Sequence, residues 1–314
     1  MNSLVRVAVI GVGHLGRIHA KIYAELAGAH LVGVVDTDQN AAKKIAEQYH
    51  CEVFKKIEDL IDKVDAVSIV VPTIHHLETA RPFIESGIHI LMEKPIAPSY
   101  EESLALVELS EQAGIIFQVG FLERFNSGTI ALAEQVKNPR FIEAQRLSKF
   151  VERATDVDVI TDLMIHDIDI IISLIDSEII NISGTGIPVL TEHIDIANVR
   201  LEFANGAIAN ITASRVSNKQ HRFFRVFEKN HYYSLNFIEQ ELEITSIKPQ
   251  QDKKRDDIVV NKMPLESQQP LNIELAEFIH SVKTGKKPLV DGRVGLKANH
   301  VASRVLESIF KSVE

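Results

Sequence analysis

One predicted helix, over residues 162–175, carries a histidine and carboxylates at helical spacing. Asp162, His166, Asp169 and Ser173 follow at intervals of four, three and four residues, so they share one helix face. The remaining side chains are mostly Ile, Leu and Met, which predicts a buried helix whose polar stripe faces water, a cavity or a partner. A carboxylate one turn away orients a histidine ring, so His166 is a candidate general acid–base and Asp162 its neighbour.

Two other interpretations of this helix remain open. A solvated polar stripe without chemistry fits the spacing as well as a catalytic pair does. A metal site is a third interpretation, since His and Asp side chains four residues apart on a helix can both bind one metal ion. No third His or Cys cluster accompanies them, so we predict no metal.

Two loops that follow apolar runs carry further candidates. Lys94 lies in the sequence Glu93-Lys94-Pro95, and Thr73 follows Pro72 after another run. In an open α/β sheet ligands bind beyond the carboxyl ends of the strands, so we expect both loops on the ligand side. Lys94 can hydrogen-bond a ribose or a substrate hydroxyl, although a charged pair that merely ends a strand fits the motif equally well. The Lys94–Pro95 bond can be cis or trans, and the sequence leaves this open.

A glycine turn predicts a dinucleotide site. The apolar run 5–10 leads into Gly11-Val12-Gly13-His14-Leu15-Gly16, and a helical pattern follows. Gly11 allows a tight turn, Gly13 lets the backbone approach a pyrophosphate, and Gly16 lets the helix pack close to the strand. The N–H groups of the helix N-terminus, from His14 and Leu15 onward, would then hold the phosphates.

An acidic residue stands where such a site requires one. Asp36 ends the next apolar run, about 20 residues beyond the glycines, where a carboxylate takes the ribose hydroxyls. The sequence Asp36-Thr37-Asp38 places two carboxylates near the ribose 2′ position. A 2′-phosphate would meet like charge there, which favours NAD over NADP.

The order of predicted elements indicates two domains. Up to about residue 120, short apolar strands alternate with helices, which is typical of a doubly wound parallel sheet, a Rossmann α/β domain. Residues 121–314 read as an α+β domain with a large, mostly antiparallel sheet, and Asn205-Gly206 is a hairpin signal. Ile208, Ile211, Phe223 and Phe227 suggest apolar surface on both faces of that sheet.

The composition excludes several classes of protein. A net charge of −9 argues against nucleic-acid binding, and no apolar run approaches the ~20 residues that span a bilayer. The lone cysteine, Cys51, excludes an intrachain disulfide and suits a reducing cytoplasm. We therefore expect a cytoplasmic protein whose partners are small molecules and copies of itself.

Taken together, these motifs resemble the Gfo/Idh/MocA family of NAD(P)-dependent oxidoreductases. The resemblance runs through nearly the whole chain, and its motifs are specific as an ordered set. They are the glycine turn with Asp36, Pro72-Thr73-x-x-His76-x-Glu78, Glu93-Lys94-Pro95, Val119-Gly120-Phe121 with Arg124-Phe125, Asp162-x-x-x-His166-Asp167-x-Asp169, and the C-terminal pieces Glu277-Phe278, Gly285-Lys286-Lys287-Pro288 and 292–308.

The resemblance implies hydride transfer between a nicotinamide and a hydroxyl-bearing carbon, usually of a sugar or polyol. It implies that His166 is the acid–base group, that Lys94 contacts the nicotinamide ribose and the substrate, and that Asp162 touches the substrate. It adds Pro72, Thr73, His76 and Glu93 to the cofactor site. It also implies a homodimer or homotetramer joined through the sheet of the second domain.

The sequence departs from the family pattern at the helix motif, where Met164 replaces a glycine. Polyol specificity is therefore not carried over. The basic residues Arg146, Lys149 and Arg153, with Arg124, are candidate contacts for an anionic substrate such as a nucleotide sugar, although a solvated sheet surface explains them as well. This version of the motif is similar to the branch that oxidises the 3-hydroxyl of UDP-N-acetylglucosamine.

Two other functions compete with this interpretation. An imine or C=C reductase similar to biliverdin or dihydrodipicolinate reductase would keep the architecture, but the presence of both Lys94 and His166 favours alcohol chemistry. A non-catalytic dinucleotide sensor would need the glycine turn alone.

Overall fold

The chain folds into two compact units, each built on its own sheet. The computed structural model describes residues 4–151, 157–247, 258–266 and 269–311. One unit comprises residues 1–122 and 269–299, and the other comprises residues 123–268 and 300–314. The sequence placed residues 269–299 in the second domain, whereas the structure packs them with the first. No helix in the described ranges is long and apolar enough to cross a membrane.

The first unit contains a six-stranded parallel sheet in the order β3-β2-β1-β4-β5-β6. Its strands are β1 (Val5–Ile10), β2 (Ala29–Val35), β3 (Glu52–Phe54), β4 (Ala66–Ile69), β5 (His89–Glu93) and β6 (Phe117–Gly120). The strand order runs outward in both directions from β1 and β4, which confirms the predicted doubly wound sheet. The sequence did not reveal β3, because three residues are too few to show a pattern.

Helices of the first unit lie between its strands in the chain, as the alternating pattern up to residue 120 predicted. They are α1 (Gly16–Glu25), α2 (Gln39–Tyr49), α3 (His76–Glu85), α4 (Tyr100–Ala113) and, later in the chain, α7 (Pro270–Thr284). The Ser99 hydroxyl accepts a hydrogen bond from the Glu102 N–H at 3.2 Å and so caps α4.

The position of α7 follows from its apolar face. Leu275, Phe278 and Ile279 recur at helical spacing and are buried in the same core as Val7 and Tyr23. Burial of a side chain of this size contributes roughly 1.5–3 kcal/mol, so three of them account for α7 packing on the Rossmann sheet.

The second unit contains an eight-stranded sheet in the order β14-β13-β12-β11-β7-β10-β9-β8. Its strands are β7 (Phe141–Leu147), β8 (Ile179–Ile187), β9 (Ile196–Phe203), β10 (Ile208–Ser214), β11 (His221–Glu228), β12 (His231–Asn236), β13 (Glu241–Ile247) and β14 (Ile258–Pro264). Every neighbouring pair is antiparallel except β7 and β10, which confirms the predicted mostly antiparallel sheet.

Helices accompany this sheet. They are α5 (Ser127–Gln135), a π-helical turn (Ile160–Met164), α6 (Ile165–Leu174) and α8 (Gly292–Lys311), whose last twelve residues belong to this unit. The hairpin between β9 and β10 turns at Gly206, where φ is 79°, a value that glycine adopts without strain.

Apolar side chains occur on both faces of the sheet. Ile211, Phe224 and Val226 are fully buried on one face. Phe223 and Phe227 alternate with buried residues of β11 and are half-buried on the opposite face. Phe227 packs at 4.9–5.2 Å between ring centroids against Tyr232 and Phe141, which forms a row of aromatic rings across three strands.

Candidate functional site

In the glycine turn of the first unit, two glycines lie so close to backbone carbonyl groups that no side chain would fit. A Cβ on Gly11 would lie 2.5 Å from the Val70 carbonyl oxygen, and one on Gly16 would lie 1.8 Å from the Gly11 carbonyl oxygen. Gly11 also has φ of 86°. By contrast, a Cβ on Gly13 would meet nothing within 4 Å. The protein itself therefore requires Gly11 and Gly16, whereas the backbone at Gly13 faces open space that a pyrophosphate can enter.

The helix that follows the turn begins without a side-chain cap. Leu15 occupies the N-cap position of α1 and makes no side-chain cap hydrogen bond. His14 is exposed, and its Nδ1 lies 3.1 Å from Arg17 Nη2. First-turn N–H groups that no side chain satisfies are the donors an anion binds at a helix N-terminus. This half of the site fits a dinucleotide phosphate.

Asp36 stabilises the glycine turn and is also a candidate to bind the cofactor ribose. Its Oδ2 accepts the Val12 N–H at 2.6 Å and its Oδ1 accepts the Asp38 N–H at 2.8 Å. Each carboxylate oxygen keeps a further lone pair for a ribose hydroxyl. The Asp38 carboxylate instead caps α2, accepting the N–H groups of Asn40 and Ala41 at 2.9 and 3.1 Å. Thr37, between them, is exposed.

The buried His76 ring connects the loop after β4 to the loop after β5. The residue is 1% exposed, and its Nδ1 and Nε2 each lie 3.0 Å from a backbone carbonyl oxygen, of Ile96 and Val71 respectively. Burial lowers the pKa of the ring. The buried ring lies between these two carbonyl oxygens and so links the loops after β4 and β5, and it offers no exposed nitrogen to a cofactor. Pro72 and Thr73, in the same segment, do reach the surface.

Glu93 faces the interior at the end of β5, next to Lys94. Its Oε1 lies 3.2 Å from Nε2 of the buried His19, and a Cβ on Gly120 would come within 2.9 Å of its Oε2. Lys94 is half-buried, and the Lys94–Pro95 peptide bond is cis. The Glu93 carboxylate is thus directed at His19, inside the protein, although the resemblance implies that Glu93 contacts the cofactor.

A second buried carboxyl lies close to Glu93. Glu274 of α7 is fully buried, and neither of its oxygens has a hydrogen-bond partner among the described residues. Burial raises its pKa well above the ordinary value, and the nearby Glu93 and Glu277 act in the same direction. Burial thus favours the protonated form of Glu274.

In the second unit, the predicted helix over 162–175 begins with a π-helical turn. Residues 160–164 are π-helical and α6 starts at Ile165, so the α-helical spacing does not extend through Asp162. The four polar residues also differ in environment: Asp162 and His166 are half-buried, Asp169 is buried and Ser173 is exposed. The position of Asp162 therefore departs from the single α-helical face that the spacing predicted. Single π-helical turns occur frequently at functional sites.

Arg146 is an internal anchor of this helix. Its Nε and Nη2 donate to Asp167 at 3.0 and 2.8 Å, and its Nη1 donates to Glu123 at 2.7 Å. Burial alone would lower the pKa of the guanidinium, but the two carboxylates outweigh it and raise the pKa. At 3% exposed, Arg146 has its donors directed at these carboxylates, and this geometry does not support the expected substrate contact.

Arg124 likewise has an internal partner. Its Nη1 lies 3.3 Å from Asp169 Oδ1, while Asp169 Oδ2 is buried without a hydrogen-bond partner among the described residues. Burial raises the pKa of Asp169 to about 7, although Arg124 acts in the opposite direction. A carboxyl that titrates near neutrality therefore lies one turn after His166.

A loop anchored by Asp195 fixes the start of the π-helical turn. The buried Asp195 carboxylate accepts N–H groups of Val189, Leu190 and Thr191 at 2.6–2.9 Å. The Ile194 carbonyl then accepts the Val159 N–H at 2.8 Å. These bonds hold the residue that precedes the turn and thereby position Asp162.

A cavity lies beside Asp162 within the second unit. Lys149, which the sequence singled out, lines it, and so do Lys219 and Arg222, which the sequence analysis missed. The signal for Arg222 was its position two residues before the buried Phe224 on β11, because residues two apart in a strand share a face, here the inner face of the sheet. Arg153 lies outside the described residues. Among the residues described, no group of three His, Cys, Asp or Glu side chains is arranged to hold a metal ion.

Comparison with known proteins shows what the chain is similar to. A model described as an oxidoreductase family with an NAD-binding Rossmann fold matches residues 5–121, and a GFO/IDH/MocA C-terminal domain model matches residues 128–232. UDP-N-acetylglucosamine 3-dehydrogenase of Acidithiobacillus ferrooxidans is 33% identical, and the match covers 96% of each chain. scyllo-Inositol 2-dehydrogenase (NAD(+)) of Bacillus subtilis is 29% identical over 96% of this chain and 94% of its own.

Solved structures agree with this comparison. The A. ferrooxidans UDP-N-acetylglucosamine 3-dehydrogenase superimposes with a TM-score of 0.92 at 32% identity, covering 97% of each chain. A scyllo-inositol dehydrogenase from Lactobacillus casei, solved with NAD(H) and scyllo-inositol, has a TM-score of 0.82 at 19% identity over 99% of this chain and 98% of its own. The second comparison shows the fold alone.

The glycines permit a test that separates cofactor binding from folding. Gly13→Ala should keep the melting temperature of the wild type, because its Cβ meets nothing within 4 Å, yet weaken NAD binding by closing the space for the pyrophosphate. Gly16→Ala should lose about 1–3 kcal/mol of stability or more, because its Cβ overlaps the Gly11 carbonyl. Calorimetry and thermal melts measure the two effects. Unchanged NAD affinity in Gly13→Ala would contradict the assigned phosphate position.

Asp169 is expected to make stability depend on pH. Its pKa of about 7 in the folded chain lies above the ordinary value, so its contribution is fully present below about pH 4 and is lost as the pH rises to about 7. In Asp169→Asn this dependence disappears. The melting temperature of the variant relative to wild type should therefore rise over that window, by roughly 2–4 °C for each kcal/mol. Ser173→Ala, an exposed change on the same helix, is the control, and a constant difference across pH would refute the assignment.

Proposed function

This chain belongs to the Gfo/Idh/MocA family of NAD-binding oxidoreductases, and we propose that its substrate is a nucleotide sugar, with the 3-hydroxyl of UDP-N-acetylglucosamine as the oxidised group. The observation that carries this proposal is the end-to-end similarity to a UDP-N-acetylglucosamine 3-dehydrogenase at 33% identity over 96% of both chains. The enzyme class is that of an NAD-dependent dehydrogenase acting on a sugar hydroxyl. Neither the imine-reductase nor the sensor alternative gains support from these relatives.

In the proposed reaction a secondary alcohol becomes a ketone. His166 takes the hydroxyl proton, and the hydrogen on the same carbon leaves with its electron pair as a hydride, which NAD accepts when bound. Asp162 contacts the sugar and supports the charged form of His166. Lys94 hydrogen-bonds the substrate and the nicotinamide ribose, as the family resemblance implies. The glycine turn and Asp36 hold the remainder of the cofactor.

The half-buried state of Asp162 and His166 supports these roles. Both keep part of their surface exposed, although the neighbouring Ile165, Ile168 and Ile171 are fully buried, so a substrate can reach the two residues. Met164, which stands where the family pattern has a glycine, is fully buried and belongs to the helix packing.

The activity is tested by following NADH formation with UDP-N-acetylglucosamine, in the presence of hydrazine to trap a ketone product. scyllo-Inositol and free N-acetylglucosamine serve as alternative substrates. Turnover with UDP-N-acetylglucosamine should exceed that with either. In His166→Ala it should fall by roughly 10²–10⁴-fold, the range for loss of a general acid–base, while NAD affinity and melting temperature stay unchanged. Preferential turnover of an inositol would overturn the substrate class, and normal turnover in His166→Ala would overturn the catalytic role.

We also propose that the protein is a cytoplasmic homodimer or homotetramer joined through the outer face of the second unit's sheet. The row of half-buried rings formed by Phe141, Phe227 and Tyr232 on that face supports the interface, since burying such rings on a partner is favourable. The lone cysteine suits a reducing compartment.

Light scattering at micromolar concentration tests the assembly. We expect the mass of a dimer or tetramer for wild type and a smaller mass for Phe227→Lys, because the substitution puts a charge among the aromatic rings. Lys44→Gln, an exposed change on α2 of the first unit, is a control that should leave the mass unchanged. A monomer in the wild type would refute the proposal.

A further inference from the structure

The cavity beside Asp162 has the size and the position of a ligand site. Its volume of about 790 Å³ falls within the range of small-molecule pockets. Its walls come from the segment after β7, from the π-helical turn, and from the loop that joins β10 to β11. All of these belong to the second unit, so the cavity is a property of that unit alone.

Cationic side chains dominate the charged lining of this cavity. Lys149, Lys219, Arg215 and Arg222 contribute to the wall, and Asp162 is its lone carboxylate among the described lining residues. Arg215 is engaged elsewhere, since its Nη2 donates to the Val157 carbonyl at 2.5 Å and its Nε lies 3.5 Å from Asp195.

The two lysines are available to a ligand. Both Lys149 and Lys219 are exposed. In the described part of the chain, neither forms an ion pair with a carboxylate, in contrast to Lys262, which is 2.9 Å from Glu241. Flexible ammonium groups of this kind act as point charges toward phosphate.

Among the described residues, Arg222 has only a longer ion pair, because Arg146 binds the nearby carboxylates more closely. The two arginines are opposite one another on β11 and β7. Arg146 binds Glu123 at 2.7 Å, whereas Arg222 Nη1 is 3.9 Å from the same Glu123 oxygen. The Nε of Arg222 is buried and has no hydrogen-bond partner among the described residues. Burial and the neighbouring Arg146 both lower the pKa of Arg222, so an added anion would stabilise its charge.

We propose that Arg222, Lys149 and Lys219 bind the diphosphate of the nucleotide sugar, while Asp162, on the same cavity wall, meets the sugar that the diphosphate carries. This inference rests on the proposed function, since it requires a substrate with a diphosphate. The planar guanidinium of Arg222 suits two phosphate oxygens at once, and its buried Nε gains the partner it lacks. The lysines contribute charge at the open side of the cavity.

Three variants and a matched control test the assignment. Arg222→Gln and the double variant Lys149→Gln with Lys219→Gln remove the proposed ligands. Lys219→Gln alone changes an exposed side chain and cannot impair folding through the core. Arg225→Gln is the control, because Arg225 lies on the same strand as Arg222 but on the other face, where it pairs with Glu143 at 2.9 Å.

The measurements are the affinity for UDP by calorimetry and the KM and kcat for UDP-N-acetylglucosamine. Arg222→Gln and the double variant should each weaken UDP binding and raise KM by about 10- to 100-fold, the usual consequence of losing a hydrogen bond to a charged group. Lys219→Gln alone should give a smaller change in the same direction. NAD affinity, kcat and melting temperature should stay close to wild type, and uridine should bind all variants equally.

The outcomes separate this inference from the proposed function. If wild type oxidises UDP-N-acetylglucosamine and all variants behave as Arg225→Gln does, the assigned residues are wrong and the function stands. If wild type does not bind UDP, the inference is overturned. If wild type binds UDP, and Arg222→Gln and the double variant weaken that binding, the diphosphate site stands even when no nucleotide sugar is oxidised, and only the proposed function fails.

Discussion

The pairing of one buried arginine with two carboxylates is the interaction on which the second unit depends. A guanidinium that is 3% exposed must bring opposite charge with it, because an unpaired ion in a protein interior costs several kcal/mol. Arg146 of β7 meets this need with Asp167 of α6 and with Glu123, which precedes α5. A single side chain thereby joins the sheet to the helix that carries His166. Breaking such a buried pair would cost about 3–5 kcal/mol, so the position of that helix is firmly set.

The same pairing decides which cations are left for a ligand. Arg146 and Arg222 are direct neighbours across two strands, but Arg146 lies against both carboxylates and Arg222 stays at 3.9 Å from one of them. Arg146 therefore has a structural role, whereas the Nε of Arg222 has no hydrogen-bond partner among the described residues. In the first unit the constraint is steric instead. The backbones at Gly11 and Gly16 approach so closely that no side chain fits between them, while the surroundings of Gly13 stay open.

Features with a local cause could be predicted from the sequence. The hairpin at Gly206 depends on residues near one another in the chain, the glycine turn and Asp36 form a motif of fixed spacing, and the structure has all of them. The alternation of strands and helices up to residue 120 likewise identified the doubly wound sheet. Each kind of element has its own spacing of apolar residues, which can be seen within a short segment of sequence. The prediction of an α-helix over 162–175 missed the π-helical turn at its start, where a hydrogen bond from the Val159 N–H to the Ile194 carbonyl, about thirty residues later, adds to the local bonds of Asp158.

By itself, the sequence determined the fold class, the cofactor and the family, because these are encoded in short motifs and in the periodicity of apolar residues. Tertiary structure alone decided the roles of individual charged residues. Arg146 became an anchor, Asp38 a helix cap and His76 a link between loops, while Lys219 and Arg222 came to line a cavity. The physical reason is that burial and the choice of ionic partner depend on residues far apart in the chain. A charged side chain that is buried against an opposite charge of the protein has a structural role, and one that lacks such a partner can bind a ligand.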